Sequence, residues 1–169
     1  MISQTAEYAL RAVVCLARSD PERRWTVHDI HDRTEVPEGY LSKVMQQLAR
    51  SGIVRSQRGR SGGFVLGRSL DELSVLDVIN AVDPLQRIHE CPLGLAEHES
   101  ELCALHKRVD CELERVERAF AEASFADLLS DDGPQWPLGL DESAPKAARP
   151  EVVDTVSDPM ISRPDATAG

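Results

Sequence analysis

The chain has 169 residues, is 41% hydrophobic and 28% charged, and carries a formal net charge of −10, a composition that supports a soluble packed core in one domain with extensions and argues against a uniformly basic nucleic-acid-binding surface. No run of about 18 apolar residues occurs, which excludes a membrane-spanning helix. The opening stretch MISQTAEYALRAVVCLARSD lacks the basic start and small-residue cleavage site of a secretion signal, so a cytoplasmic location is expected, where four cysteines are not expected to form two structural disulfides.

Residues 3–18 place Ala6, Ala9, Leu10, Val13, Leu16 and Ala17 on one stripe, the spacing of an amphipathic helix, and Asp20-Pro21 ends it. Thr26 with Asp29 three residues later is the acidic form of a capping box and opens a second, short helix. Glu35-Val36-Pro37 breaks that helix. A third helix follows from Pro37-Glu38, where proline suits a first turn, and carries Leu41, Val44, Met45 and Leu48 at i, i+3, i+4 and i+7. Gly52 occupies the left-handed position just beyond its end. The runs Ile53-Val54 and Phe64-Val65-Leu66 flank a glycine-rich basic turn, Gly59-Arg60-Ser61-Gly62-Gly63, and read as a β-hairpin. Ser74 and Asp77 cap a fourth helix with Leu76, Val78, Ile79 and Val82 inward, and Pro84 closes it. Residues 85–111 show weak periodicity and hold three of the four cysteines, whereas 112–123 are helical, with Leu113, Val116 and Phe120 on one narrow stripe. A narrow apolar stripe on an otherwise polar helix points to pairing with another helix. Ser124 and Asp127 cap a last short turn. Beyond 130, six of the ten prolines fall among Asp, Ala and Ser, the composition of a disordered acidic tail.

The order helix, short helix, turn, helix, hairpin is that of a winged helix-turn-helix, whose second motif helix enters the DNA major groove. Charge is partitioned accordingly. Residues 1–83 are neutral, 84–129 and 130–169 each carry −5, and Lys43 to Arg68 holds six basic residues and no acidic one. With its apolar stripe turned inward, the third helix presents Glu38, Tyr40, Ser42, Lys43, Gln46, Gln47 and Arg50. Glutamine reads adenine edges, serine and glutamate suit cytosine and its neighbours, and Lys43 and Arg50 suit phosphate. The hairpin contributes Arg55, Arg58, Arg60 and Ser61 among glycines, an arrangement fit for a narrow minor groove. No phosphate loop, nucleophile–base pair or hydrolytic metal motif marks an enzyme, so none is expected.

Cys91, Cys103 and Cys111 are spaced C-x11-C-x7-C, without a C-x2-C pair. Three cysteines within 21 residues suggest a metal site. Iron–sulfur clusters accept nitrogen or carboxylate in place of some thiolates, and zinc accepts three cysteines and one histidine. Spacing leaves both open, and His89, His98 and His106 are the local histidine candidates. Cys15, on the first helix, reads as a buried thiol.

These stretches together resemble the bacterial iron–sulfur regulators of the IscR/NsrR type. The likeness rests on Thr5-Ala6-Glu7-Tyr8-Ala9-Leu10-Arg11, Gly39-Tyr40-Leu41, the wing RGRSGGFVLG from Arg58 to Gly67, Leu76 to Val82 (LDVINAV) and the cysteine segment, and it covers residues 1–130. It implies a mainly α fold: a winged helix-turn-helix DNA-binding domain (1–83), a cluster loop (84–111), a long C-terminal dimerisation helix (112–129) and an appended tail (130–169). It implies a homodimer that binds pseudo-palindromic promoter DNA. A 2Fe–2S or 4Fe–4S iron–sulfur cluster held by Cys91, Cys103 and Cys111 would set DNA affinity in response to redox state, nitric oxide or iron–sulfur status. The fourth ligand implied is an acidic residue of the partner's first helix, matching Glu7, ahead of His106. The cysteine gaps of 11 and 7 are wider than the family's usual near-five spacing. The competing readings are a DNA regulator that uses zinc or thiol oxidation, and an iron–sulfur carrier or assembly protein.

Overall fold

The computed structural model describes residues 2–20, 23–59, 62–94 and 101–130. Arg60, Ser61 and His98, together with residues 131–169 of the expected 130–169 tail, lie outside the described residues, whereas Ser130 is the last residue of a short helix. Helix α1 (Gln4–Ala17) begins where Ser3 Oγ accepts the Ala6 N–H at 3.2 Å. Its inner face carries Ala6, Ala9 and Ala12, whose small side chains let neighbouring helices approach closely. Helix α2 (Val27–Thr34) opens with the expected capping box, Thr26 Oγ1 accepting from the Asp29 N–H at 3.1 Å while Asp29 accepts from the Thr26 N–H at 2.8 Å. It ends on Glu35, whose φ of 59° is left-handed. Helix α3 (Glu38–Arg50) starts one residue after Pro37 and buries Leu41, Val44, Met45 and Leu48. Gly52, at φ 75°, closes it with paired bonds from the Gly52 N–H to Ala49 O and from the Ile53 N–H to Leu48 O, the Schellman termination that the glycine permits.

Strands β1 (Val54–Gln57) and β2 (Gly63–Leu66) pair antiparallel, with Val54 opposite Leu66 and Gln57 opposite Gly63. Trp25 adds a bridge to Phe64, so the wing is stitched to the residue before the α2 cap by bonds of 3.0 and 2.8 Å. Helix α4 (Val75–Val82) carries the second capping box, Ser74 with Asp77. It buries Val75, Val78 and Ile79, and the expected Leu76 is only half-buried.

Helix α5 spans Ala104–Glu122, so it begins at 104 rather than at the expected 112, and Cys111 sits inside it. The early start was hidden because α5 buries no residue within the chain. The apolar residues of its first turns, Leu105 and Val109, are 67% and 40% exposed, and Val116 is 43% exposed. Helix α6 (Phe125–Ser130) then returns the chain to the core. Phe125 is fully buried, and three backbone bonds tie this corner to the loop ahead of α4: Val75 N–H to Ala123 O, Phe125 N–H to Leu73 O and Ala126 N–H to Leu70 O. The core formed by α1, α3, α4 and the wing base therefore includes Phe125 of α6, just beyond the far end of α5.

Candidate nucleic-acid interface and cysteine segment

The inward stripe of α3 fixes which residues face out. Glu38, Tyr40, Lys43, Gln46 and Arg50 are exposed and Ser42 is half-buried, as the helical period requires. Among the described residues Lys43, Arg50, Arg55 and Arg58 engage no carboxylate, which leaves their charge available to phosphate. Arg55 and Arg58 stand on the wing, exposed. Gly67 holds the wing base close, since a Cβ there would lie 2.5 Å from Gly52 O.

Three placements differ from, or add to, the sequence reading. Gln47, expected on the DNA-facing side, donates its Nε2 to Val82 O at 3.3 Å and so joins α3 to the end of α4. His28 of α2 holds Glu38, with Nδ1 2.8 Å from Oε1, and its Nε2 is 3.5 Å from Asp32. The hydrogen bond to Glu38, then the Asp32 charge, raises the His28 pKa. The i, i+4 pair His28/Asp32 is legible in the sequence, whereas the link to Glu38 depends on the α2–α3 crossing. Tyr40 meets the ring of Tyr8 on α1 edge-on at 5.8 Å.

The cysteines separate into three environments. Cys15 is buried on α1, and desolvation raises its pKa to about 11. Cys103 is the residue ahead of the first turn of α5, and its Sγ lies 3.4 Å from His106 Nδ1. Cys111 is half-buried on α5 and Cys91 is half-buried in the loop after α4. That loop is anchored by Arg87, whose Nε and Nη2 donate to Asp110 Oδ1 and Oδ2 at 2.6 and 2.7 Å, while the Ile88 N–H reaches Asp110 Oδ1 at 2.9 Å. Glu117 and Glu114 lie 3.3 and 3.5 Å from the same guanidinium. The Arg87 hydrogen bond, first among several causes, lowers the Asp110 pKa to about 2.

This geometry tests the implied cluster. At 1.5 Å rise per residue, Cys103 and Cys111 lie about 12 Å apart along α5. Among the described residues no three His, Cys, Asp or Glu side chains converge on a metal position. Among the described residues the three cysteines therefore form no ready-made cluster site, and within the segment Cys103 Sγ and His106 Nδ1 are two possible donors in contact. Glu7 is instead half-exposed on α1 and paired with Arg11 at 3.0 Å, and His89 is exposed.

A family model described as an iron-dependent transcriptional regulator matches residues 2–131. Among solved structures, the chain is similar to CymR (YrzC), the global cysteine regulator of B. subtilis, at 24% identity and a TM-score of 0.63, covering 76% of this chain and 95% of that one. It is also similar to T. potens IscR, at 22% identity and a TM-score of 0.63, covering 79% and 88%. The oxidized form of Staphylococcus aureus CymR matches at 22% identity and a TM-score of 0.60, covering 76% and 94%. These structural matches share the winged, mainly helical fold with its small two-stranded hairpin. The chain belongs to the Rrf2 family of transcriptional regulators.

Proposed function

We propose that this regulator grips promoter DNA with α3 and the wing, acts as a homodimer through α5 on a pseudo-palindromic site, and changes its DNA affinity through chemistry at the cysteine segment. The observation that carries the DNA reading is the set of unneutralised cations, Lys43, Arg50, Arg55 and Arg58, on the two elements that a winged helix-turn-helix lays against the duplex. Arg60 and Ser61 belong to the same wing tip by sequence. Gln46 and Ser42 are the assigned base readers and Tyr40 an apolar contact, while Glu38 works under the hold of His28. The dimer reading is supported by the exposed Leu105, Val109 and Val116, which follow one face of a 19-residue helix.

For the sensor, the iron–sulfur reading keeps Cys103 and His106 as a preformed pair and takes its remaining donors from Cys91, Cys111 or Glu7 of the partner subunit. A cluster so held would supply a redox-labile, thiolate-ligated centre. A second reading is favoured by the lack of convergence: reversible thiol oxidation without a metal. The 3.4 Å contact between Cys103 Sγ and His106 Nδ1 supports it as a cysteine contact to a polar side chain described in this segment, and a relative of this fold has been crystallised in an oxidized form. No membrane span occurs among the described residues.

Two measurements test these readings. For DNA, operator affinity is followed against salt: Arg58→Ala lowers the slope of log K against log[salt] by about 0.9 if Arg58 neutralises one phosphate, and an unchanged slope removes it from the interface. For the sensor, anaerobic purification is followed by an absorption spectrum and iron, sulfide and zinc analysis. Brown protein with matching iron and sulfide establishes the cluster. Metal-free protein that cannot be reconstituted, yet loses DNA affinity on oxidation, establishes the thiol switch.

A further inference from the structure

Helix α5 is fastened to the reading domain at two points of different character. At its C-terminal end the fastening is apolar and backbone-bonded: Phe125 is fully buried, and Val75, Phe125 and Ala126 donate across the corner. Toward its N-terminal half the fastening is ionic, through Arg87. Between these points α5 packs on α4.

Arg87 lies five residues beyond Val82, the residue whose carbonyl receives Gln47 of α3. The intervening chain is held as well, since the Leu85 N–H donates to Asn80 Oδ1 at 3.2 Å across the end of α4. Residues 82–88 are therefore bonded at one end to the recognition helix and at the other to Asp110, the neighbour of Cys111. Arg87 is 20% and Asp110 17% exposed, and their two-pronged geometry is the strong form of a charge-assisted pair. Asp110, Glu114 and Glu117 follow at i, i+4 and i+7 on one face of α5 and converge on this one guanidinium. Without it, the three carboxylates lose the guanidinium they share.

We propose that Arg87 is a positioning residue that transmits the state of the cysteine segment to the recognition helix: a latch on α5, with Phe125 as the fixed pivot. The proposal rests on the reading that cysteine chemistry controls DNA affinity. Rewinding the first turns of α5 to gather Cys103 and Cys111, or adding bulk at Cys111, displaces Asp110 and so pulls on the linker that ends at Val82 and Gln47. Such coupling needs an element with two arrangements that both sites bias, and the linker 82–88, held by Gln47 at one end and by the ion pairs of Arg87 with α5 at the other, is that element in the proposal.

The test uses the full chain and a duplex selected by the protein from a random-sequence pool. Operator affinity is measured by fluorescence anisotropy in the reduced metal-free state. It is measured again after anaerobic loading with ferrous iron and sulfide, and separately after oxidation with diamide. In the wild type one treatment shifts affinity by roughly 5- to 150-fold, the usual range of such links. Arg87→Ala brings that ratio below about twofold, and the exchanged pair Arg87→Asp with Asp110→Arg restores it above about fivefold, on the logic of a double-mutant cycle. Amide hydrogen exchange separates this from unfolding. In Arg87→Ala, residues 82–88 and 104–111 exchange faster while 41–48 stay protected. An Arg87→Ala protein that switches as fully as the wild type overturns the latch and leaves the cysteine reading standing. A wild type that no treatment switches overturns the cysteine reading, and the latch with it.

Discussion

Truncating Phe125 tests whether α5 belongs to the same cooperative unit as the DNA-binding domain. Phe125 has no exposed surface and sits among the core residues of the winged unit. Phe125→Ala removes a buried ring and leaves a cavity that backbone bonds to Leu73 and Leu70 hold open rather than collapse. Such truncations cost about 3–5 kcal/mol, against a total of about 5–15 kcal/mol for a domain. At about 2–4 °C per kcal/mol for a chain of this size, the midpoint falls by roughly 6–20 °C. The assay is urea unfolding at fixed protomer concentration, because dimerisation shifts apparent stability. Two probes are compared: far-ultraviolet circular dichroism and the fluorescence of buried Trp25, in a Trp136→Phe background. Trp25 lies at the wing, on a different part of the core from Phe125. One cooperative unit requires both probes to move together. If the Trp25 midpoint shifts by less than about 1 kcal/mol while helix signal is lost separately, α5 and α6 are an independent arm and the pivot reasoning fails.

Three further outcomes follow from the same geometry. In native protein at pH 8, iodoacetamide labels Cys91, Cys103 and Cys111 but spares Cys15, because burial pushes that thiol up to about 11; mass spectrometry showing rapid Cys15 labelling would contradict its placement. The His28 pKa is raised by Glu38, so the contribution of this pair is fully present below the ordinary histidine value and is lost as pH rises through the raised one. Glu38→Gln therefore lowers the pKa of His28 in an NMR titration, and an unmoved pKa would show that the contact is absent in solution. Val109→Glu with Val116→Glu places charge on the exposed stripe of α5; sedimentation shifts to monomer while circular dichroism is retained, whereas an unchanged assembly would put the interface elsewhere.

The reading domain was legible because its signals are local. Thr26/Asp29 and Ser74/Asp77 are three residues apart and formed both capping boxes. Gly52 closed α3, and the runs on either side of the glycine-rich stretch paired as the two strands of the wing. Leu41, Val44, Met45 and Leu48 each lie in the core as their spacing required. Gln47 was misplaced for an equally clear reason. It shares its helical face with the DNA-facing residues closely enough that only the position of α4, a contact 35 residues away, decides where its amide points.

The cysteine segment was less legible because its order comes from contacts the local pattern does not contain. Leu105 and Val109 have the i, i+4 spacing of a helix, but among Lys107, Arg108 and Asp110 they form too narrow a stripe to stand out, and among the described residues they stay largely exposed. The start of α5 nevertheless decides the chemistry. Were residues 104–111 a loop, Cys103 and Cys111 would be free to meet; as helix, they are held about 12 Å apart along the axis. The apolar stripe that rewards an early helix start is the same stripe on which the proposed dimer depends, so pairing of two chains stabilises the helical state of 104–111. Gathering the cysteines acts against that state. On the proposed reading, dimer contact and cysteine chemistry compete for the same two turns of α5, and the proposed latch, Arg87, joins those turns to the linker that ends at Val82 and Gln47.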